Sequence, residues 1–316
     1  MRLTLRQLLI FTAVADTGST TAAGERVALS QSATSGALNE LESLLGAQLF
    51  DRIGKRLLLN DNGRALLPQA RSLLDGAQEI ESRFGLGSAG ADTAPLVTRL
   101  RVGASTTIGN YVLPALIAGY SRTWPGAAVD VVIGNTRDIA AAVTRLEVDI
   151  GLIEGPCHEA ELRVTPWLQD ELVIVAAPTH ALVQEGVQAR VPLKALRQAR
   201  WLLREPGSGT REAVEHVLLP HLHHLDGDMQ PGSTEAIKQA TAEGLGLACL
   251  SLCAVQDLVT LGRLVVLRTT LPRLTRRFYL VHHQKKRLSG NLQRFVAHCE
   301  RLEMESPWLP TNFPKK

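Results

Sequence analysis

Residues 18–52 read GSTTAAGERVALSQSATSGALNELESLLGAQLFDR, and their punctuation decides the head of the molecule. Upstream, Leu8, Phe11 and Ala15 recur at helical spacing until Asp16-Thr17-Gly18-Ser19, where a glycine and cap-forming side chains end one helix and start the next. A second short helix is expected from Thr21 to about Val27. Ser30 then caps a third, which runs through Leu45 and stops at Gly46. Three helices in about 45 residues, the last two joined by a three-to-four-residue turn, suit a helix-turn-helix.

The third helix has two unlike faces. Thr34, Leu38, Leu41 and Leu45 form an apolar stripe for a core, while Gln31, Ser32, Ser35 and Asn39 carry hydrogen-bonding groups near the helix start. That is the part of a recognition helix that meets base edges in the major groove, where amides and hydroxyls pair with bases or phosphates. Arg52, Lys55 and Arg56 follow in DRIGKRLLL, a small β-wing able to touch phosphates or the minor groove. Taken alone, the same pattern also describes a solvated helix face and a charged hairpin.

Working outward, 316 residues suit two or three compact units, each with enough apolar residues for a core. The formal net charge of +3 is too small to announce nucleic acid, so contact with double-stranded DNA has to come from a local patch. The opening MRLTLRQLLIFTAVADTGS has no apolar core followed by a small-residue cleavage site, and no stretch reaches the roughly 20 apolar residues of a membrane span. A cytoplasmic protein with no membrane partner is expected. Cys157, Cys249, Cys253 and Cys299 are too few and scattered for a disulfide framework, which fits a reducing compartment and buried thiols.

Gly18-Ser19, Ala22-Ala23, Ser30 through Ser35, Leu41-Glu42, Leu45-Gly46 and Leu49-Phe50-Asp51-Arg52 together resemble the signature of LysR-type transcriptional regulators, with its spacing kept across the head. The resemblance implies a winged helix-turn-helix, a long dimerising linker helix and a two-lobed, periplasmic-binding-protein-like α/β effector domain. There are departures. Ser32 stands at a usual proline position, and Gly36-Ala37 replace larger polar or basic residues. Asn60 takes a usual threonine position, where it can still cap the linker helix.

From Asp61 to about Phe84, the residues Leu66, Ala70, Leu73, Ala77, Ile80 and Phe84 alternate spacings of four and three, the seam of a short coiled coil. Two chains pairing through 61–85 would hold two recognition helices about one DNA turn apart. The alternative is that the stripe packs on its own domain. The family resemblance favours a homodimer through this helix and implies a homotetramer; RNA polymerase is admitted as a further partner. Gly85 through Gly90 matches a dinucleotide-loop glycine pattern but follows a helix and opens none, so that reading is rejected. Residues 86–98 read as a hinge.

After Arg99, LRVGA, AVDVVIG, DIGLIEG and ELVIVAA alternate with helical patterns, which predicts parallel sheets. An effector domain over 99–302 is expected, with one lobe at 99–167 and 270–302 and the other at 168–269, the chain crossing near Trp167 and Thr270. Residues 303–316 form a tail. In such sheets ligands sit beyond the carboxyl ends of strands. Four segments qualify: Ser105-Thr106-Thr107 with Ile108-Gly109-Asn110; Asn135-Thr136; Arg204 through Arg211, including Ser208, Gly209 and Thr210; and Gly232-Ser233-Thr234-Glu235. Plain helix capping explains any one of them. Together, with matching loop positions in the family, they imply an effector site, and Arg204 with Arg211 beside neutral hydroxyls points to a small anion or carboxylate.

His216, His221, His223 and His224, with Cys157-His158, match no regular zinc spacing, and Pro220 is expected to break the helix that would align them. A solvated helix end is the expectation, with no metal and no cofactor. Cys249 and Cys253 read as structural thiols in preference to a redox switch. No Gly-x-Ser-x-Gly turn, phosphate-binding loop or paired metal-ligand helix speaks for an enzyme.

Overall fold

The computed structural model describes residues 3–54, 56–83, 99–125, 127–184, 190–286 and 288–305. They form two compact units, one holding the head and the other the domain that starts at Arg99.

In the head, Thr4 opens α1 (Leu5–Thr17) with a reciprocal cap: its hydroxyl accepts from the Gln7 amide, and the Gln7 side chain accepts from the Thr4 amide. Gly18, at φ 66°, closes the helix. Ser19 caps α2 (Thr20–Arg26), and Ser30 caps α3 (Gln31–Leu45). Leu8, Phe11, Val14, Ala23, Leu38 and Leu41 meet in one core with Leu49 and Phe50, where the rings of Phe11 and Phe50 lie 5.6 Å apart. Leu45 departs from the expected apolar stripe and is exposed. It is the last residue of α3; the chain leaves through Gly46, and Leu49 and Phe50 are the next side chains to enter the core.

Gly24 shows why the turn before α3 is tight. A Cβ there would lie 2.7 Å from the Leu29 carbonyl oxygen and 2.9 Å from Thr34 Oγ1. The wing is the antiparallel pair β1 (Phe50–Ile53) and β2 (Arg56–Leu59), in register from Phe50↔Leu59 to Ile53↔Arg56. Asn60 then does the expected capping work for α4 (Asp61–Arg83), its Oδ1 accepting from the Gly63 amide at 3.0 Å. The predicted seam on α4 divides. Ala70 is buried in the head's own core with Leu66 packed against it, whereas Leu73 and Ile80 are 53% and 60% exposed. Phe84 and the 86–98 hinge lie outside the described residues.

The second unit begins with β3 (Arg99–Ser105), a π-helical turn (Ile108–Val112), α5 (Leu113–Thr123), β4 (Ala128–Gly134), α6 (Thr136–Thr144) and β5 (Ile150–Glu154). β3 pairs in parallel with both β4 and β5, as the alternation predicts. Next come β6 (Leu162–Ala176), α7 (Ala181–Gln184), α8 (Leu193–Gln198), β7 (Arg200–Leu202), α9 (Gly209–Leu222), β8 (Asp226–Met229) and α10 (Thr234–Ala242). The chain continues through β9 (Ala248–Ser251), α11 (Leu252–Thr260), β10 (Val265–Val266), β11 (Leu274–His283) and α12 (Gly290–Glu305). One sheet runs β10-β6-β11-β5-β3-β4, with β9 also on β6, while β7 and β8 pair separately.

Two expectations need correction. ELVIVAA is the second half of the long strand β6, which pairs antiparallel with β9, β10 and β11. The sheet is therefore mixed: β11 returns directly alongside β6, and antiparallel neighbours need no helical crossover between them. Trp167 sits buried within β6 and donates its Nε1–H to the Cys299 carbonyl at 2.9 Å. Nor does Pro220 break its helix, for α9 continues through it to Leu222. Among the described residues no helix is long and apolar enough to cross a membrane.

Gly24→Ala should destabilise the head by about 1–3 kcal/mol through overpacking at the turn. Thermal unfolding of the variant checks this, and an unchanged transition would contradict the close approach of α2 to α3.

Candidate functional site

On the head, Gln31, Ser32 and Asn39 are exposed along α3 and Ser35 is half-buried. Their contacts are light: Gln31 Nε2 donates to Thr20 Oγ1 at 3.3 Å, and the Ser30 and Ser32 hydroxyls lie 3.0 Å apart. Arg52 and Arg56 are exposed on the wing, and Lys55 lies outside the described residues. By contrast, Arg26 and Arg71 are tied to Asp16 at 3.1 and 2.6 Å. The polar face of α3 and the wing thus carry groups that a nucleic acid can reach without breaking the core.

In the second unit, the four predicted segments separate into two kinds. Asn135, Ser208 and Ser233 are caps: Asn135 Oδ1 accepts from the Asp138 amide at 2.9 Å, Ser208 Oγ from Arg211 at 3.5 Å, and Ser233 Oγ from Ala236 at 3.1 Å. Thr106 and Thr234 meet at Arg204, while Thr107, Thr136, Gly209 and Thr210 gather at the end of β5. Arg204 has a side chain only 1% exposed. Its Nη1 donates to Thr106 Oγ1 and to Thr234 Oγ1, both at 2.8 Å, so it joins the β3 side to the α10 side. Its other edge is held by Glu205, with Nε to Oε2 at 2.7 Å and Nη2 to Oε1 at 2.8 Å. Arg211, the second predicted cation, pairs with Glu215 at 2.8 Å and donates to the Arg204 carbonyl.

One helical turn beyond Thr234, Lys238 makes a second crossing. Its Nζ lies 3.2 Å from the Tyr111 hydroxyl and is paired with Glu235 and Asp257. Sequence reasoning missed Lys238 and Tyr111. The helical spacing from Thr234 to Lys238 was a signal for the first, but nothing local marked the second.

Thr107, Thr136, Gly209 and Thr210 gather around a carboxylate that was also missed, Glu154 at the end of β5. Glu154 accepts from the Thr107 amide at 2.6 Å and from the Thr210 hydroxyl, and its backbone oxygen accepts from Thr136 at 3.0 Å. The Gly209 amide donates to Thr136 Oγ1 at 3.2 Å; a Cβ on Gly209 would fall 1.7 Å from the Glu154 carbonyl oxygen, so only glycine lets α9 start here. Arg276 on β11 completes the cluster, reaching Glu154 at 2.9 Å, Asp170 at 2.7 Å, Thr210 at 2.9 Å and Thr107 at 3.3 Å. Asp170 also accepts from Ser251 at 2.6 Å. Ser105 Oγ is buried without a hydrogen bond of good geometry, although it lies close enough to help lower the Glu154 pKa.

Burial alone would raise the Glu154 carboxyl, but the Arg276 charge and the hydrogen bonds outweigh it and hold it below the ordinary glutamate range. Asp170 goes the other way, because burial is only partly offset by Arg276 and its carboxyl is raised. Burial pushes the thiols of Cys249 and Cys253 up to about 12, which keeps them poor nucleophiles. Among the described residues no three His, Cys, Asp or Glu side chains gather as a metal site, and His158 instead meets Glu212 at 3.2 Å.

A winged helix-turn-helix head joined to a mixed α/β domain is the architecture of a DNA-binding regulator with a separate regulatory domain. Residues 5–64 match the bacterial regulatory helix-turn-helix of the lysR family, and residues 94–303 match the LysR substrate binding domain. The chain belongs to the LysR family of transcriptional regulators. It is 46% identical over 315 residues to the HTH-type transcriptional regulator YeiE of Escherichia coli, covering all of both chains. Full-length OxyR from Pseudomonas aeruginosa has the same fold, with a TM-score of 0.73 at 24% identity over 95% of this chain and 94% of that one. The Synechocystis CcmR regulatory domain, solved in complex with 2-PG, is 30% identical with a TM-score of 0.59, covering 66% of this chain and 98% of that domain.

Removing the Arg276 cation would leave Glu154 and Asp170 buried together without their partner. The folded-state pKa of Glu154 then rises above the unfolded one and that of Asp170, already raised, rises further, so the folded form holds more protons and stability is lost as pH rises through the raised values. Arg276→Met should therefore cost about 3–5 kcal/mol near neutral pH and less near about pH 5. Denaturant titrations across that range check the sign; a loss that grew toward acid would contradict it.

Proposed function

We propose that this regulator reads double-stranded DNA with Gln31, Ser32, Ser35 and Asn39 of α3 and with Arg52, Lys55 and Arg56 of the wing. A small anionic metabolite, received between the lobes by Ser105, Thr106, Thr107, Asn135, Thr136, Arg204, Ser208, Gly209, Thr210 and Ser233, controls that binding or the bend it imposes on a promoter. The observation that carries the effector reading is Arg204: a buried guanidinium whose Nη1 links Thr106 on one side of the cleft to Thr234 on the other. A planar cation with fixed donors suits a carboxylate or phosphate. The complex of the related CcmR domain with 2-PG supports a small-molecule site in this domain.

In this mechanism the effector binds the closed arrangement of the lobes better than the open one and so shifts the population between them. Closure changes how subunits are placed. The exposed Leu73 and Ile80 on α4 offer the part of the 61–85 helix that pairs two chains into a dimer. Two dimers then form a tetramer that bridges two DNA sites in the cytoplasm, where RNA polymerase can be contacted.

A salt-controlled binding assay on the DNA immediately upstream of the protein's own coding region tests the DNA half. Saturable binding that outcompetes unrelated DNA is expected, with Arg52→Ala weakening it and lowering its salt dependence by about one phosphate contact. Equal affinity for every sequence would remove autoregulation, and no binding at low salt would remove the DNA-reading face itself.

A further inference from the structure

Two buried arginines in the second unit are neutralised in opposite ways. Arg276 is held by Glu154 and Asp170, whose side chains are only 1% and 7% exposed, so every member of that group is locked inside the protein. Arg204 is just as buried at 1%, but its one carboxylate partner among the described residues, Glu205, is 24% exposed and reaches solvent. The two pairs also differ in how they arise. Glu154 and Asp170 come from other strands, whereas Glu205 is the next residue in the chain, in a stretch without regular structure between β7 and α9. Neighbouring side chains along extended backbone point to opposite sides, so a fork between residues 204 and 205 is not the arrangement that an extended chain supplies.

We propose that Glu205 is a built-in occupant of the anion seat on Arg204. In the free protein its carboxylate covers the Nε–Nη2 edge in the two-point geometry that an effector carboxylate or phosphate would use. The Nη1 end stays fixed on Thr106 and Thr234. Binding is then an exchange of one oxyanion for another: the effector takes the edge, and Glu205 swings out to water, where hydration replaces the lost contacts. Arg204 never has to stand unpaired in the interior, a state that is heavily penalised. Only an anion that makes further contacts in the cleft outcompetes a carboxylate already tethered beside the seat, so Glu205 sets the threshold for response and screens out abundant simple anions.

This inference rests on the reading of Arg204 as the anion seat, and its test separates the two. Thermal unfolding of the full chain is followed against inorganic phosphate and against acetate, at constant ionic strength, for wild type, Glu205→Ala, Glu205→Gln and Glu205→Ala with Arg204→Met. Stabilisation of Glu205→Ala at concentrations at least about tenfold below those wild type requires, with the response abolished by Arg204→Met, is the expected result. If Glu205→Ala does not fold, Glu205→Gln carries the same comparison with the fork's shape kept and its charge removed. Equal responses in wild type and the Glu205 variants, lost with Arg204→Met, would overturn the competitor while leaving the seat. No response in any form, or one that survives Arg204→Met, would overturn both.

Discussion

The effector domain depends on one of its buried cations more than on the others. Arg276, on a strand that returns along both β5 and β6, neutralises Glu154 and Asp170 and is touched by Thr107 and Thr210. These partners come from the end of β5, the middle of β6, the loop after β3 and the first turn of α9. Charges removed from water are tolerated only when paired and hydrogen-bonded, so the pieces that supply the partners have to be assembled around the guanidinium together. Such a pair is no strong source of net stability compared with an apolar replacement; its effect is to specify one arrangement where β6 and β11 run side by side.

Two further cations tie together other parts of the domain. Arg204 bridges Thr106 to Thr234, and Lys238 reaches Tyr111 one turn further along α10. Both crossings place cations, one from the stretch after β7 and one from α10, against hydroxyls just after β3 and in the π-helical turn. Glu154 and Asp170 have opposite titration tendencies: one carboxylate is strongly satisfied, and the other is carried mainly by its neighbour.

Much of the head was legible because its signals are local. Gly18, Ser19, Ser30 and Gly46 end and begin helices through their own side chains and φ angles, and the helices stop within a residue or so of where those residues predict. Leu45 misled because periodicity places a side chain on a face without saying where the facing core ends. In the second unit the βα alternation revealed β3, β4 and β5 but not the antiparallel return of β11, since strand direction depends on a pairing between residues about a hundred positions apart. The loops proposed for the effector were picked out by their hydroxyls and glycines. The acids behind them, Glu154 on the Thr210 hydroxyl and Glu205 on the Arg204 guanidinium, were not marked, because an acidic residue looks the same in sequence whether it faces water or a buried arginine. For Asn135, Ser208 and Ser233 the structure shows the simple capping that each motif also allowed.

The central claim is that one cleft governs a DNA-reading face without being part of it. The direct measurement is titration of the upstream-DNA complex of the full chain with a panel of small carboxylates and phosphorylated acids. Ser35→Ala and the pair Thr106→Ala with Arg204→Ala are run beside wild type. The account predicts an anion that changes the wild-type complex, a cleft variant that binds DNA but ignores the anion, and a Ser35 variant that binds the anion but loses DNA. A response that survives loss of Thr106 and Arg204, or folded variants in which both activities fall together, would contradict it.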